Sequence, residues 1–329
     1  MKAFVTGGTG FIGGAVVRKL IESGHQVKAL VRPGANTRQL DGLPVEKVEG
    51  SLEDINSLRR GIEGCDWVFH LAALYSFWGY RWEDFYRVNV EGTRLVLEVA
   101  REMGVQRIVH TSSIAALGTN PDRTPANENT PSTLEDKVTY YQRSKFLGQQ
   151  VALELAREGV PVVIVNPTAP VGPGDHKPTP TGQIIVDFLN GRMFGYVDTG
   201  LNIVDVEDVA KGHILAAERG RVGECYILGG ENMTLKQFLD LLAEVSGRPP
   251  VRWRIPHWVA MLWAYIDVAL TKLGLRSVPT ATPEKVRLSR RYEWFDCSKA
   301  MRELGYTYGP AREAVRKAVE WYRANGYAP

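Results

Sequence analysis

Thr6-Gly7-Gly8-Thr9-Gly10-Phe11-Ile12-Gly13 decides the fold of this chain, because it follows a short apolar segment (2–6) and opens a segment with helical spacing (11–23). A strand, a glycine turn and a helix N-terminus in this order leave backbone N–H groups free for a phosphate, and bare glycines let the anion approach closely. A purely structural turn is the alternative. The strand–turn–helix context favours a dinucleotide site at Gly7, Gly10 and Gly13.

Outward from this turn, apolar strands and amphipathic helices alternate as far as residue 166. Strands separated by helices pair in parallel through right-handed crossovers, so helices cover both faces of the sheet. We therefore expect an α/β fold, a doubly wound parallel sheet with a smaller, mostly helical C-terminal substrate domain. The predicted strands are 2–6, 26–31, 45–48, 67–72, 107–111 and 162–166, and the predicted helices are 11–23, 55–62, 89–103 and 140–157.

The pattern changes after Pro167, where proline and glycine make residues 167–182 too irregular for helix or strand and favour a substrate-side loop. A helix is predicted at 184–190. Strands at 203–206 and 225–228 are expected to rejoin the sheet, with a helix at 209–219 between them. The predicted domains are a dinucleotide-binding domain of residues 1–167 plus about 201–229, and a substrate-binding domain of about 168–200 plus 230–329.

Composition excludes several classes of protein. The 329 residues are 44% hydrophobic and 23% charged, with a net charge of +3 and no basic block, so nucleic acid is not an expected partner. Three widely spaced cysteines, Cys65, Cys225 and Cys297, indicate neither a disulfide framework nor a metal site. Because the N-terminus shows no basic and apolar leader either, we expect a cytoplasmic protein in a reducing compartment.

Residues 258–270 (WVAMLWAYIDVAL) form the most apolar stretch of the C-terminal half and contain Asp267. A bilayer requires about 20 such residues, so this stretch cannot span one. We interpret it as a buried or lid helix of the substrate domain. Shallow contact with a membrane or a lipid-like substrate is the alternative.

The residue type at the end of the second strand indicates whether the cofactor is NAD or NADP. An acidic residue at this position accepts the ribose hydroxyls of NAD, whereas arginine suits the 2′-phosphate of NADP. The chain reads Leu30-Val31-Arg32, and Arg38 follows. This favours NADP(H) over NAD(H), unless Arg32 is simply a solvated loop residue.

Tyr141 and Lys145 are four residues apart on a predicted helix and so share one face. A nearby ammonium would lower the pKa of the phenol towards the range in which a general acid or base works. A surface pair is the alternative. The strand at 107–111 leads to Ser112 and Ser113 at the carboxyl edge of the sheet, where a hydroxyl can donate to a substrate carbonyl or merely cap a turn.

Six motifs resemble those of the extended short-chain dehydrogenase/reductase superfamily: TGGTGFIG (6–13), HLAA (70–73), VNVEGT (88–93), TSS (111–113), YQRSK (141–145) and VDVEDVA (204–210). They occur in its order and cover roughly residues 1–230. The chain most resembles the dihydroflavonol-4-reductase-like branch, and within it the hopanoid-associated sugar epimerases. Residues 166–193, 226–235 and 318–327 also match that branch.

The resemblance implies a role for each matching residue. Tyr141 would be the general acid/base, Lys145 would hold the nicotinamide ribose, and Ser113 would orient the carbonyl, leaving Ser112 structural. Asn89 would either support the site or cap a helix. The residues implied to contact the cofactor are Gly7, Thr9, Gly10, Phe11, Ile12, Gly13, Arg32, Ser51, Leu52, Leu71, Ala72, Ala73, Thr111, Tyr141, Lys145, Pro167 and Thr168.

Two departures from the superfamily matter. An Asp that commonly contacts adenine is replaced here within Glu49-Gly50-Ser51-Leu52, although Ser51 can still hydrogen-bond. The arginine that clamps the diphosphate of nucleotide sugars is absent from Gly200-Leu201-Asn202. Four arginines elsewhere are candidate substitutes for this clamp: Arg192, Arg254, Arg287 and Arg290.

These features favour a reductase/dehydrogenase acting on a small substrate. A sugar epimerase or dehydratase with retained NAD is the second hypothesis, and a non-catalytic cofactor-binding protein the third. An aromatic-rich loop suits an apolar or ring-containing substrate, but lid packing or a homodimer contact would use the same residues. Its members are Tyr75, Phe77, Trp78, Tyr80 and Trp82, with Trp258 and Trp263 expected to face it, whereas His70, His110 and His176 are interpreted as structural.

Overall fold

A computed structural model describes all 329 residues. Seven parallel strands form the main sheet, in the order β3-β2-β1-β4-β5-β6-β10. The strands are β1 Lys2–Thr6, β2 Gln26–Val31, β3 Val45–Glu49, β4 Trp67–His70, β5 Arg107–Thr111, β6 Val162–Pro167, β7 Ala169–Val171, β8 Gly195–Tyr196, β9 Gly200–Asp205, β10 Cys225–Leu228, β11 Glu231–Thr234 and β12 Trp253–Arg254. The helices are α1 Phe11–Glu22, α2 Ile55–Ile62, α3 Trp82–Tyr86, α4 Gly92–Glu102, α5 Tyr140–Arg157, α6 Pro180–Leu189, α7 Val206–Arg219, α8 Leu235–Ser246, α9 His257–Lys272, α10 Pro283–Leu288, α11 Ser298–Leu304 and α12 Ala311–Ala324.

The central strands are buried on both faces, which explains why they are almost continuously apolar. Helices α1, α7 and α11 cover one face, and α2, α4 and α5 cover the other. The strand order reverses between β1 and β4, and this reversal opens a crevice at the carboxyl ends of the strands. The predicted doubly wound parallel sheet is therefore confirmed.

The C-terminal half contributes a third apolar core, built mainly from α6, α8 and α12 around two small strands, β7 and β9. Only β10 rejoins the main sheet. The expectation that the strand at 203–206 also rejoins it is wrong, because β9 pairs with β7 and β11 in a separate three-stranded sheet.

The proposed division into two domains remains a proposal. The segment from Phe295 to Tyr306 packs in the first core beside the sheet, although the proposed boundary places it in the substrate domain.

Local capping moves several predicted boundaries. Helix α6 begins at Pro180, because Pro180 occupies its first turn and the Thr179 hydroxyl accepts a hydrogen bond from the Gly182 amide. Residues 167–182 are thus partly regular. The helix predicted at 89–103 instead contains a π-helical turn, Arg87–Glu91, which joins α3 to α4. None of the helices combines the length and the apolar character that crossing a bilayer requires.

Candidate active site

A cleft of about 370 Å³ lies at the carboxyl edge of the main sheet, where β1, β4, β5 and β6 end. The residues that line it come from both halves of the chain. Those predicted to contact the cofactor or substrate and found on its walls are Gly7, Gly10, Phe11, Ile12, Gly13, Leu71, Ala73, Thr111, Ser113, Tyr141, Lys145, Pro167 and Thr168.

The glycine turn at one end of the cleft has no room for side chains. Gly7 has a φ of +75°, and a Cβ there would lie 2.6 Å from the backbone nitrogen of Ala72. A Cβ on Gly13 would overlap the carbonyl oxygen of Gly7. Gly10 caps α1 without a side-chain hydrogen bond, so the first amides of the helix remain free for an anion. This bare backbone beside a helix N-terminus fits a dinucleotide pyrophosphate.

A buried hydrogen-bond chain holds the strand ends around this turn. The Thr6 hydroxyl lies 2.8 Å from Nδ1 of His70 and accepts a hydrogen bond from the Ala72 amide at 3.2 Å. Nε2 of His70 lies 3.1 Å from the Thr93 hydroxyl. Burial lowers the pKa of His70 to about 3, so its ring is neutral at physiological pH. His70 therefore positions backbone, which agrees with its interpretation as structural.

Ser113 follows β5 and faces the cleft. Its hydroxyl accepts a hydrogen bond from the Ala115 amide at 3.1 Å, and its carbonyl oxygen accepts one from Asn166 Nδ2 at 2.9 Å. These contacts fix the backbone, while the hydroxyl also interacts with the phenol of Tyr141. The hydroxyl of Ser112 is buried without a partner.

Tyr141 is in the first turn of α5 and packs against Tyr75, with ring centroids 4.4 Å apart and ring planes tilted by 37°. Burial raises the pKa of Tyr141 to about 12, and the neighbouring Ser113 hydroxyl offsets only part of this increase. The pKa of Tyr141 is therefore raised and not lowered as expected, because burial has the largest effect on it. The phenol is protonated at neutral pH.

Lys145 reaches the cleft one helical turn after Tyr141. Its ammonium group donates a hydrogen bond to the carbonyl oxygen of Thr111 at 2.7 Å. Burial lowers the pKa of Lys145 to about 8. This pKa leaves the side chain mostly charged at pH 7, and its remaining two N–H donors are free to bind a ligand.

Asn89 lies in the π-helical turn and is buried. Its Oδ1 accepts a hydrogen bond from the Leu74 amide at 2.7 Å, and its Nδ2 donates to the Leu74 carbonyl at 3.0 Å and to the Ser144 hydroxyl at 2.8 Å. Asn89 therefore supports the site and does not cap a helix. It ties the start of the aromatic loop to α5.

The aromatic loop contributes two of its predicted residues, Tyr75 and Phe77, to the cleft wall. Trp82 packs against Tyr86 and Tyr140 outside the cleft. The expectation that two tryptophans of the second half face this loop is wrong. Trp258 and Trp263 are 69% and 43% exposed on α9 and are not among the residues that line the cleft.

Glu293 completes the cleft, and the sequence reasoning missed it. Its backbone amide donates to the carbonyl oxygen of Gly200 at 3.0 Å, which places the carboxyl group opposite Tyr141. Burial raises the pKa of Glu293 to about 7, while Arg291 and Lys137 oppose the increase. No local motif marks this glutamate, because only the pairing of distant segments brings it to the cleft.

Five predicted contact residues do not line the cleft. Thr9 is half-buried within the glycine turn, and Ala72 is held behind it by Thr6. Arg32 is exposed after β2. The Ser51 hydroxyl accepts a hydrogen bond from the Glu53 amide at 3.3 Å, and Leu52 packs towards Gly92. Ser51, Leu52 and Arg32 lie at or beyond the ends of β2 and β3.

Residues 3–229 match the NAD dependent epimerase/dehydratase family. The chain belongs to this family. It is therefore an NAD(P)-binding oxidoreductase of the extended short-chain dehydrogenase/reductase type, with a Rossmann fold, as the resemblance implied.

Whole-chain similarities to members of the family support this assignment. A putative dihydroflavonol 4-reductase of Synechocystis sp. is 43% identical to this chain, in an alignment that covers 98% of this chain and 95% of the relative. Sterol demethylase protein B of Methylococcus capsulatus is 37% identical over 99% of both chains. The crystal structure of gox2253 shares 42% identity and a TM-score of 0.89 over 99% of both chains. The suggested dihydroflavonol-reductase-like branch agrees with these similarities.

Proposed function

We propose that this protein interconverts a carbonyl group and a secondary alcohol on a small apolar or ring-containing substrate, through Ser113, Tyr141 and Lys145. One observation carries the proposal. A protonated phenol, a hydroxyl group and an ammonium group meet in one cleft beside a bare glycine turn. In a bound complex the nicotinamide would supply or accept the hydride.

The protonation state of Tyr141 supports the reductive direction. With a pKa of about 12, the phenol carries the proton that a developing alkoxide needs at neutral pH. The Ser113 hydroxyl would donate a second hydrogen bond to the same oxygen and orient it. Lys145, fixed on Thr111, would use its free N–H groups to hold the ribose of the cofactor.

The cleft wall supports an apolar substrate. Away from the glycine turn, the cleft that contains Tyr141 is lined by apolar and aromatic side chains that include Tyr75, Phe77, Ile184, Leu201 and Leu288. Such walls bind ring systems through burial and aromatic contact. The names of the two relatives, a dihydroflavonol reductase and a sterol demethylase protein, both refer to ring compounds.

The proposed cofactor is NADP(H) in preference to NAD(H). Arg32 is exposed at the end of β2 and pairs with no acidic side chain, so its guanidinium is available for a 2′-phosphate. The residues that follow β2 include no carboxylate to accept the ribose hydroxyls of NAD before Asp41.

An epimerase with retained NAD is the alternative that the family description keeps open. A nucleotide-sugar substrate brings a diphosphate, which requires cationic side chains. Lys145 and Glu293 are the only charged residues that line the cleft. None of the four arginines considered as substitutes for the clamp lies there, so the cleft favours a reductase.

Net oxidation of NADPH or NADH, followed by absorbance with a library of cyclic ketones and aromatic aldehydes, tests the proposal. We expect stoichiometric cofactor oxidation with some members, at a rate that Tyr141→Phe lowers by about 10²-fold or more. Turnover of a nucleotide sugar without net cofactor oxidation would overturn the reductase proposal in favour of the epimerase.

A further inference from the structure

Helix α9 has the opposite polarity to an ordinary surface helix. Its single acidic residue, Asp267, is fully buried, whereas most of its large apolar residues are exposed. The exposed fractions include 69% for Trp258 and 56% for Leu262. The apolar surface continues into the loop after the helix, where Leu273 and Leu275 are 74% and 70% exposed. The α9 surface is defined here by Trp258, Leu262, Trp263, Ile266, Leu273 and Leu275.

Asp267 maintains this orientation. Its carboxylate accepts hydrogen bonds from Arg276 Nη1 at 2.8 Å, from the Thr280 amide at 2.7 Å and from the Ala281 amide at 2.9 Å. These contacts fold the following loop back over the inner face of the helix. The apolar outer face is therefore a built feature of the fold, since rotation of the helix would break the hydrogen bonds of the buried Asp267 carboxylate.

The segment that carries the α9 surface is strongly positive. Residues 248–291 contain nine Lys and Arg against two Asp and Glu, a formal charge of +7, whereas the whole chain carries +3. Arg254 and Arg276 pair with Asp198 and Asp267. Four further cations of this segment are exposed and have no acidic partner: Arg252, Lys272, Arg287 and Arg290.

The α9 surface also adjoins the cleft. Helix α10 packs against α9, and Leu288 at its end lines the cleft. Lys285 of α10 lies 5.4 Å from the ring centroid of Phe77, which lines the same cleft. Helix α10 therefore lies between the helix that carries the α9 surface and the cleft that contains Tyr141.

We propose that the α9 surface binds an anionic lipid bilayer in the plane of its interface, with the apolar face inserted and the surrounding cations on the headgroups. Tryptophan, tyrosine and leucine on one helix, bordered by lysine and arginine, form the pattern that such interfacial helices use. Charge decides against a second copy of the chain, because two surfaces with this excess of positive charge repel each other. Lipid binding does not depend on the proposed function, whereas entry of an apolar substrate from the bilayer does.

Cosedimentation of the full chain with vesicles tests the proposal. We expect binding to phosphatidylcholine vesicles that contain one quarter phosphatidylglycerol, at least tenfold weaker binding to pure phosphatidylcholine, and release by high salt. Trp258→Ser with Trp263→Ser should reduce binding at least tenfold, as should Arg287→Glu with Arg290→Glu. The matched controls are Met103→Ser with Met301→Ser and Arg157→Glu with Arg302→Glu, which change exposed residues elsewhere and should bind normally.

Quenching of tryptophan fluorescence by brominated lipids provides a second measurement, and it should be smaller in a folded Trp258→Phe, Trp263→Phe variant, which retains the exposed Trp253. Absent binding, equal binding to neutral and anionic vesicles, or equal losses in the control variants would overturn the proposal. A dimer that the Trp258→Ser, Trp263→Ser pair dissociates would assign the surface to a second copy instead. Because sedimentation requires no turnover, its failure is distinct from a failure of the proposed oxidoreductase activity.

Discussion

The ammonium group of Lys145 donates a 2.7 Å hydrogen bond to the backbone carbonyl oxygen of Thr111. This contact joins α5, which carries Tyr141, to the end of β5, two residues before Ser113. The side chains proposed to act in the reaction, those of Ser113, Tyr141 and Lys145, are therefore carried by α5 and by the segment at the end of β5. One buried hydrogen bond fixes the position of these two elements relative to each other.

Replacing Tyr141 by Phe should reduce turnover by about 10²–10⁴-fold, because the phenol is the proposed proton donor. Cofactor affinity should remain nearly unchanged, since the hydroxyl acts mainly in the transition state. Steady-state kinetics and cofactor titration measure the two effects. Tyr140→Phe is the matched control, because Tyr140 is half-exposed and lies outside the cleft. Turnover retained in Tyr141→Phe would remove Tyr141 from the mechanism.

Lys145→Met should weaken cofactor binding by about tenfold or more and also reduce the rate, because a charged donor to the ribose is lost. Lys137→Met is a close control. Like Lys145, Lys137 is buried and donates a hydrogen bond to a backbone carbonyl oxygen, in this case that of Leu117. Burial lowers the pKa of Lys137 to about 8 as well. Lys137 differs in that it lies outside the cleft. Equal losses of affinity in the two variants, measured by isothermal titration, would show that only stability was affected.

Arg32→Asp should shift the preference from NADP(H) towards NAD(H). The new carboxylate repels a 2′-phosphate and can accept both ribose hydroxyls, so NADP(H) affinity should fall roughly ten- to a hundredfold. The ratio of the two dissociation constants is the measurement. Arg157→Asp, which makes the same charge change far away on α5, should leave the ratio unaltered. An unaltered ratio in Arg32→Asp would contradict the cofactor assignment.

Glu293 should make reduction pH-dependent near neutrality. Its pKa is raised to about 7, so the carboxyl group ionises as pH rises through this value and then opposes negative charge on the substrate oxygen. The reductive rate should therefore fall above pH 7 in the native protein. Glu293→Gln should keep the low-pH rate across this range, while Glu284→Gln, an exposed control, should retain the native profile. A native profile in Glu293→Gln would exclude this role.

His110 should contribute to acid sensitivity. Its ring nitrogens are buried without partners, and burial lowers the pKa of His110 well below its usual value of about 6.5. Below a pH of about 6.5, His110 is protonated in the unfolded chain but stays neutral in the folded chain. The free energy of unfolding therefore falls as pH falls, by up to about 1.4 kcal/mol per pH unit. His110→Leu should flatten the dependence of the unfolding free energy on pH, measured by urea denaturation at pH 7 and pH 5.

The contrasting variant is His70→Leu. It removes the contacts of His70 with Thr6 and Thr93 and should lower stability already at pH 7. Part of the acid dependence should remain in His110→Leu, because burial also lowers the pKa of His70 to about 3. A dependence as steep as that of the native protein would contradict the contribution of His110.

Local patterns were sufficient to predict the main sheet and to place three distant segments in one cleft. The glycine turn, the Tyr141–Lys145 spacing and the serine after β5 each belong to a single strand or helix end, and parallel strands bring those ends together. Helix α5 was predicted with its observed bounds, because strong periodicity coincides with a capping Thr139.

Properties that depend on packing between distant segments could not be predicted in this way. The pKa of Tyr141 moves in the direction opposite to expectation, because burial depends on Tyr75, which belongs to another loop. The separate sheet of β9 results from its pairing with β7 and β11, each about thirty residues away, and the position of Glu293 results from the bridge between Gly200 and Tyr292, about ninety residues apart. The apolar residues of α9 gave no indication of which side faces solvent, since Asp267 finds its partners only in the folded loop.

The amide of Asn89 fastens the first residue of the aromatic loop, Leu74, to Ser144 of α5 by three hydrogen bonds. Lifting that loop to admit a substrate would break the two hydrogen bonds that join Leu74 to Asn89, the residue that also contacts the helix carrying Tyr141. The loop therefore acts as a fixed wall of the cleft. We expect a substrate to enter beside α10, whose Leu288 lines the cleft, so the rate of entry should depend on the mobility of α10.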